Sequence, residues 1–217
     1  MNASLYPLFL NLQDRACIVV GGSEIAEGKI RELLDAGARI RVVSPEVTKQ
    51  ISAWSAAGKL HWEARGCETG DLQDAFLVVS VADAETNARV FEEAEKRHIF
   101  CNSVDDIPHC SCYASAVVRR GPLQIAISTA GYSPALAQRL RKELEEQFGE
   151  IYGPWVKQLG EARSLLFQDN TITRETRRGV LHEQASASQF EVFRASNHQG
   201  TDSYGPVGNP EGSRKSP

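Results

Sequence analysis

The stretch CIVVGGSEIAEGKIRELLDAGARIRVVSP, residues 17–45, decides the fold of this chain. An apolar run leads into a pair of glycines, and apolar residues such as Ala26 and Ile30 then recur at the spacing of one helix face. Gly37 can provide the left-handed cap that ends this helix, and a second apolar run follows and stops at Pro45. The stretch therefore predicts a strand, a glycine turn, a helix and a second strand.

The same alternation continues beyond this stretch. A helix with an apolar stripe over 47–54 leads to the short run LHWEA at 60–64. The segment FLVVSVA at 76–82 is apolar enough to be buried on both faces, as parallel strands are, and another helix separates it from IFCNSV at 99–104. Strands that alternate with helices predict an α/β fold, a Rossmann-type doubly wound parallel sheet.

The pattern changes after Pro108. Two short apolar runs flank a turn at Arg120 and Gly121, which predicts a hairpin, and Ser133 before Pro134 has the form of a helix N-cap. We therefore expect a small α+β segment and a helical C-terminal region after the sheet. The expected boundaries are 1–110 for the Rossmann domain, 111–150 for the small segment, 151–195 for the helical region and 196–217 for a disordered tail.

Composition and charge describe an ordinary globular protein. The chain has 217 residues, of which 41% are hydrophobic and 24% charged, and its formal net charge is -4. This acidic balance argues against nucleic acid as a partner, and no apolar run approaches the ~20 residues that a membrane helix needs. The five cysteines are odd in number and two lie in predicted strands, which argues against a disulfide framework and favours the cytoplasm.

The glycine turn matches a nucleotide-binding fingerprint with one departure. In the pattern G-x-G-x-x-G/A, Gly21 takes the first position and Ala26 the last, while Ser23 replaces the second glycine. In such turns, N–H groups at the start of the helix and the helix dipole hold phosphates. Where an acidic residue for the ribose is expected, the chain has Ser44 and Pro45, so neither an acid for NAD nor an arginine for NADP is evident.

A plain strand-to-helix connection explains the same glycines. The turn therefore leaves two interpretations open, a bound dinucleotide and a purely structural turn. Under the first interpretation, the candidate cofactor-binding residues are Gly21, Gly22, Ser23, Glu24, Ile25, Ser44 and Pro45.

Three stretches carry a family resemblance. The opening YPLFLNLQDRACIVVGGSEIAEGKIRELLDAGARIRVVSPE, the motif CNSVDD and the segment RRGPLQIAISTAGYSPALAQRLRKELEE together resemble the precorrin-2 dehydrogenase and sirohydrochlorin ferrochelatase family, the N-terminal module of siroheme synthase. The resemblance implies NAD-dependent oxidation of precorrin-2, a tetrapyrrole, to sirohydrochlorin and, in some members, insertion of Fe(II) to give siroheme. It also implies a homodimer, built through the segment that follows the nucleotide-binding domain.

The resemblance assigns the catalytic carboxylate to Asp105 in the motif CNSVDD. The place is physically suitable, because ligands of open α/β sheets bind outside the carboxyl ends of the strands and Asp105 follows a predicted strand. A carboxylate there can take the proton released on dehydrogenation while the nicotinamide takes the hydride. From the residues alone, Asp105 and Asp106 are explained equally well as side chains that cap a loop.

Further candidates for substrate contact lie beside the hairpin turn and in the segment that follows the hairpin. The segment STAGYSP resembles a family signature, with Ala130 in place of one glycine, and Ser128 and Thr129 are its candidate substrate-binding residues. Precorrin-2 carries several carboxylates, so Arg119 and Arg120 are candidate cationic contacts. Both arginines also flank a turn, where a purely structural explanation suffices.

Two more cofactor candidates, Asp83 and Asn87, lie in a stretch that resembles the family's cofactor region. Asp83 suits an N-cap equally well. The motif HCSC at 109–112 contains good metal ligands, but no second Cys/His pair completes a structural site. His109 is kept as a candidate for transient capture of a metal ion.

Two functions of other classes compete with the dehydrogenase. An NAD-binding sensor module without catalysis needs no carboxylate that faces the nicotinamide, so the role of Asp105 discriminates between the two. A dehydrogenase that acts on another small acid predicts an acidic residue at the end of the second strand, and that residue is absent.

Overall fold

The computed structural model describes residues 5–198 and contains a five-stranded parallel sheet. Its strands are β1 Ala16–Val20, β2 Arg39–Val43, β3 His61–Glu63, β4 Leu77–Ser80 and β5 Phe100–Ser103. They lie in the order β3-β2-β1-β4-β5, which confirms the predicted Rossmann-type sheet. Strands β2 and β3 lie on one side of β1, and β4 and β5 lie on the other side. The strand order therefore reverses between β1 and β4, and open α/β sheets bind ligands at such a switch point.

Three helices connect the strands, and a short 3-10 helix follows the last strand. They are α1 Glu24–Asp35, α2 Lys49–Ala56, α3 Ala84–Arg97 and the 3-10 helix Ile107–His109. Gly37, with φ +75°, donates from its N–H to the carbonyl of Leu34 at 3.0 Å, so the predicted left-handed cap of α1 is confirmed.

The sheet packs into two hydrophobic cores, one on each face. Val19 lies in the first core with Ile30 of α1, which is fully buried. Val78 lies in the second core with Val90 and Ala94 of α3. Because neighbouring residues of a strand point to opposite faces, the apolar runs predicted as doubly buried strands contribute to both cores.

The described chain divides into two compact units. Within the described residues, the first unit contains 5–115 together with 128–134, and the second contains 116–127 and 135–198. The predicted hairpin is present as the antiparallel strands β6 Ala116–Arg120 and β7 Leu123–Ile127. Four helices follow it in sequence: α4 Pro134–Gln147, α5 Tyr152–Gln168, α6 Arg174–Gln184 and α7 Ala187–His198.

Most of α7 lies within 151–195, the region expected to be helical, although no apolar stripe of its own predicts it. Its Phe190 stacks on Tyr152 with ring centroids 4.5 Å apart and lies 4.7 Å from the ring of Trp155, so aromatic contacts with α5 hold a helix that has no strong stripe of its own. Residues 196–198 of the expected disordered tail end this helix, and the rest of that tail lies outside the described residues. None of the described helices combines the length and apolarity needed to cross a bilayer.

Candidate functional site

The glycine turn after β1 is formed by close backbone packing at the switch point. Gly21 has φ +111°, and its N–H donates to the carbonyl of Val43 at 3.0 Å. A Cβ atom on Gly21 would lie 2.2 Å from the carbonyl oxygen of Val81, and one on Gly22 would lie 2.0 Å from that of Glu46. Only glycine fits at these positions, because the segments that follow β2 and β4 approach the turn so closely.

Ser23, which replaces the second glycine of the fingerprint, begins α1 without backbone strain. Its φ is -72°, and its Oγ accepts a hydrogen bond from the N–H of Ala26 at 3.4 Å. Ser23, Glu24 and Ile25 are exposed, and their own N–H groups have no acceptor among the described residues. Free N–H groups at the start of a helix are the groups that bind phosphate oxygens.

The loop after β2 covers one side of this turn. Ser44 is 6% exposed, donates from its hydroxyl to the carbonyl of Glu46 at 2.6 Å, and accepts at its own carbonyl from Nε1 of Trp62 at 2.9 Å. Pro45 and Glu46 are exposed. Ser44 therefore shapes the loop, while Pro45 and Glu46 are the positions open to a ligand.

The two candidates near α3 have structural partners. Asp83 caps α3, and the hydrogen bond from the N–H of Thr86 at 2.9 Å holds the pKa of Asp83 below its usual value. Asn87 is 3% exposed; its amide oxygen accepts from Oγ of Ser80 at 2.7 Å and its amide nitrogen donates to Asp106 at 3.4 Å. Asn87 thus connects the end of β4 to the loop after β5.

Asp105 lies in that loop, in a left-handed backbone conformation with φ +60°. The surrounding hydrogen bonds hold this uncommon geometry: the N–H of Val104 donates to Ser80 at 2.8 Å, and that of Asp106 donates to Ser103 at 3.2 Å. The side chain of Asp105 is exposed and has no hydrogen-bond or ion-pair partner within residues 5–198. Loop capping therefore does not explain the carboxylate of Asp105.

Asp106 does have partners. Both of its carboxylate oxygens lie 2.9 Å from Nδ1 of His109, in addition to the contact with Asn87. The imidazole packs edge-on against Phe91, with ring centroids 5.7 Å apart. In the described part of the chain, no group of three or more His, Cys, Asp or Glu side chains is arranged to hold a metal ion.

The cysteines near this loop are free thiols. Burial raises the pKa of Cys101 to about 11 and that of Cys112 to about 12. Burial also raises the pKa of Cys110, whose Sγ donates to the carbonyl of Ser103 at 3.1 Å. These thiols stay protonated at neutral pH, so none is a ready nucleophile or thiolate ligand.

The segment STAGYSP packs against the loop that carries Asp105. A Cβ atom on Gly131 would lie 2.7 Å from Cδ1 of Ile107, two residues after Asp105. The hydroxyls of Ser128 and Thr129 accept N–H groups two and four residues further along, each at 3.1 Å. Both hydroxyls help to shape a turn at the edge of the first unit, beside the candidate catalytic loop.

The two candidate arginines differ in their surroundings, and both belong to the second unit. Arg120 donates from Nε to the carbonyl of Phe148 at 2.7 Å and from Nη2 to that of Glu145 at 2.9 Å, so it caps the end of α4. Arg119 is exposed. Of the two, Arg119 has the guanidinium that is open to a substrate.

The family models match both units of the chain. Residues 8–116 match the family described as putative NAD(P)-binding, and residues 120–147 match that described as sirohaem biosynthesis protein central. A solved structure of SirC, precorrin-2 dehydrogenase, is similar with a TM-score of 0.72 at 28% identity, over 90% of this chain and 100% of that one. The chain belongs to the precorrin-2 dehydrogenase family. The resemblance noted in the sequence is therefore confirmed.

Curated relatives of this precorrin-2 dehydrogenase family member are siroheme synthases. Those of Shigella boydii and Escherichia coli O157:H7 are each 39% identical over 173 residues, 79% of this chain and 38% of their own length. Siroheme synthase 1 of Serratia proteamaculans is 38% identical over 172 residues, 72% of this chain and 36% of its own. The chain thus spans little more than a third of the length of these relatives.

In the first unit, the structure brings together the Asp105 loop, the STAGYSP segment and the buried pair Ser80 and Asn87. The contact of Ser80 with Asn87 was not predicted from the sequence, and Asp106 was predicted only as a loop cap. One signal was available in the sequence, because Asp106 and His109 are three residues apart around a proline, a spacing at which side chains of a helical turn meet.

Proposed function

We propose that this protein oxidises precorrin-2 to sirohydrochlorin with NAD as the hydride acceptor. The observation that carries the proposal is the carboxylate of Asp105, which is exposed and unpaired in the described structure and follows a strand at the carboxyl edge of the sheet. The glycine turn lies at the switch point of the same sheet. Membership of the precorrin-2 dehydrogenase family supports the assignment.

The residues of the turn fit the pyrophosphate of a dinucleotide. The free N–H groups of Ser23, Glu24 and Ile25 would bind its oxygens, and Ser23 has a hydroxyl to add. Gly21 and Gly22 hold the neighbouring segments close to the turn. Bound NAD supplies the acceptor for the hydride. The carboxylate of Glu24 weakens phosphate binding at this helix end by repulsion.

Asp105 would then receive the proton that leaves the tetrapyrrole. Because its carboxylate forms no bond within the described residues, proton acceptance breaks no internal contact. Ser128, Thr129 and Arg119 are the proposed contacts for the substrate's carboxylates, with Arg119 as the exposed cation. Asp83, Asn87 and Arg120, also predicted to bind ligands, have the structural partners described above.

The test uses purified protein, NAD and enzymatically prepared precorrin-2. We expect the absorption of sirohydrochlorin and of reduced NAD to appear together. Asp105→Asn keeps a residue that tolerates left-handed backbone, so it should bind NAD with unchanged affinity and lose about 10²-fold or more in kcat. Asp74→Asn is the matched control, because Asp74 is also exposed and has φ +64°.

Two results would contradict the proposal. Wild-type turnover by Asp105→Asn would remove Asp105 from catalysis. NAD binding by the wild type without turnover of precorrin-2 would favour the alternative, an NAD-binding sensor module.

We extend the proposal to insertion of Fe(II) into sirohydrochlorin, with Fe(II) as a substrate. The relatives that are siroheme synthases support this step. Asp105 would accept protons from pyrrole N–H groups, and His109, which is 33% exposed at its side chain, would capture the metal ion. A rate of Fe(II) insertion no greater than that without protein would contradict the extension.

We also propose a homodimer in the cytoplasm. The hairpin β6–β7 is a two-stranded sheet whose outer edges pair with no other described strand, and such a pair is marginal by itself. The five cysteines are free, as expected in a reducing compartment. Light scattering on the eluted protein should give the mass of two chains, and a monomeric mass at micromolar concentration would contradict the dimer.

A further inference from the structure

The buried face of α3 begins with a polar residue. Its buried positions are Asn87, Val90 and Ala94, and the last two belong to the second hydrophobic core. Burial of an amide costs free energy unless the amide finds hydrogen-bond partners, whereas an apolar side chain fills such a place without any. The amide of Asn87 has two partners, the hydroxyl of Ser80 at 2.7 Å and the carboxylate of Asp106 at 3.4 Å. The side chain at this position therefore connects elements as well as filling space.

The orientation of the Asn87 amide follows from these partners. A carboxylate only accepts hydrogen bonds, so Nδ2 must face Asp106 and Oδ1 must face the hydroxyl of Ser80. Ser80 is fully buried at the end of β4. The backbone N–H of Asn87 donates to the carbonyl of Asp83 at 2.9 Å, in the first turn of α3. The end of a strand and the start of a helix thus hold the amide in one place.

Both neighbours of Asp105 in the chain are attached to the pair formed by Ser80 and Asn87. The N–H of Val104 donates to the carbonyl of Ser80 at 2.8 Å, and the carboxylate of Asp106 accepts from Asn87. Asp105 lies between these two attachments with φ +60°, a conformation that is uncommon for a residue with a Cβ atom. The attachments therefore hold the backbone that carries the exposed side chain of Asp105.

We propose that Asn87, together with Ser80, is a positioning residue that holds the backbone of Asp105 in the conformation used for catalysis. This inference rests on the proposed dehydrogenase function, in which Asp105 takes a proton from precorrin-2. In this role Asn87 touches neither substrate nor cofactor and acts only through Asp105. A displacement of about 1 Å in a catalytic group can cost about 10²-fold in rate, so loss of the attachment should lower kcat.

The first test measures the loop without any turnover. The N–H of Asp106 donates to the carbonyl of Ser103 at 3.2 Å, so hydrogen exchange at this amide reports on the loop. Relative to the amides of β1, exchange at Asp106 should be faster in Asn87→Leu, because leucine keeps the approximate volume and removes both hydrogen bonds. Val90→Ala, one turn further along the buried face of α3, is the matched control and should leave exchange at Asp106 unchanged. Unchanged exchange in Asn87→Leu would overturn the proposal.

The second test is a double-mutant cycle on kcat. Asn87→Leu should lower kcat for precorrin-2 by about 10²-fold and leave KM and the affinity for NAD unchanged. In an Asp105→Asn background the same substitution should cause no further loss, because Asn87 acts only through Asp105. Ser80→Ala should show the same pattern with a smaller loss, since the bond from Asn87 to Asp106 remains. It is the test if Asn87→Leu does not fold. Val90→Ala should leave kcat unchanged in both backgrounds.

The outcomes separate the positioning role from its alternatives. A weaker affinity for NAD in Asn87→Leu with unchanged kcat would assign Asn87 to the cofactor and overturn the positioning role. A loss of kcat that is equally large in the Asp105→Asn background would show a general structural effect and would also overturn that role. In both cases turnover by the wild type leaves the dehydrogenase standing. Absence of turnover in the wild type would overturn the dehydrogenase and the positioning role with it.

Discussion

Ala130 has a left-handed backbone conformation, with φ +51°, in the segment that packs beside the Asp105 loop. This region suits glycine and strains a residue with a Cβ. Ala130→Gly should therefore raise the free energy of unfolding by up to about 1 kcal/mol, since relief of strain exceeds the entropy cost of the added glycine. Urea unfolding checks this, with Ala135→Gly in the first turn of α4 as a control that should be destabilised. A loss of stability in Ala130→Gly would contradict the strain.

Substitution by alanine should have opposite effects on stability at Gly22 and at Gly28. A Cβ atom on Gly22 would lie 2.0 Å from the carbonyl oxygen of Glu46 and 2.8 Å from Cα of Val47, whereas one on Gly28, in α1, meets nothing within 4 Å. Gly22→Ala should cost about 2 kcal/mol or more and weaken NAD binding, because the loop must move. Gly28→Ala should stabilise by about 0.5–1 kcal/mol through helix propensity. Equal unfolding midpoints for the two variants would contradict the close approach.

The roles of single residues were predictable only where the cause is local in sequence. Asp83 as an N-cap and Gly37 as a helix end follow from neighbours within a few positions. Asn87 and Asp106 are 19 residues apart, and their contact joins α3 to the loop after β5. Their pairing depends on how the strands order themselves, and no local pattern encodes that order.

At the scale of elements, the surroundings of the two arginines predict a binding role for Arg119 and a structural role for Arg120. Arg120 donates to carbonyls at the end of α4, so Arg120→Ala should lower the free energy of unfolding by about 1.5–3 kcal/mol. Arg119→Ala should leave stability within about 0.5 kcal/mol of the wild type and raise KM for precorrin-2. Steady-state kinetics and urea unfolding of both variants check this. A raised KM in Arg120→Ala alone would reverse the assignment.

Asp71 joins the loop before β4 to strands β2 and β3. It is 8% exposed, and the hydrogen bonds that Arg65 donates hold the pKa of Asp71 well below its usual range. Arg41 pairs with the same carboxylate at 3.3 Å, and with Glu63 at 3.0 Å. These contacts connect three segments through ionised groups, so their contribution to stability depends on pH.

The sign of this dependence follows from the lowered pKa. A carboxyl whose pKa falls on folding stabilises the protein above its unfolded-state pKa of about 3.9, and loses that effect as the pH falls through the folded-state value. The free energy of unfolding of Asp71→Asn should be about 3 kcal/mol lower than that of the wild type at pH 7. This difference in free energy should become smaller below about pH 4. Urea midpoints from pH 7 to pH 3 measure this, with Asp74→Asn as the control. A difference that stays constant over this range would contradict the role of the charge.

At the scale of the whole molecule, the type of sheet was predictable because buried parallel strands need apolar runs and helices must alternate with them. The bounds of α7 were not predictable, since its stability comes from Phe190 packing on the rings of α5 rather than from its own pattern. The division into units was also beyond local pattern, because residues 128–134 cluster with the sheet although they follow the hairpin in sequence. Contacts between distant segments decide both features.

The position of the glycine turn predicts how NAD binding affects unfolding. Trp54 and Trp62 lie in the first unit and Trp155 in the second, so a Trp155→Phe variant reports through tryptophan fluorescence on the first unit alone. NAD at 100 times its dissociation constant should stabilise the folded state by about 2.7 kcal/mol, because it binds only that state. The first-unit signal should show this shift in the Trp155→Phe variant. The same signal in a chain that also carries Gly22→Ala should shift less at equal NAD. Calorimetric binding of NAD with no shift of the first-unit signal would mean that the turn after β1 does not hold the cofactor.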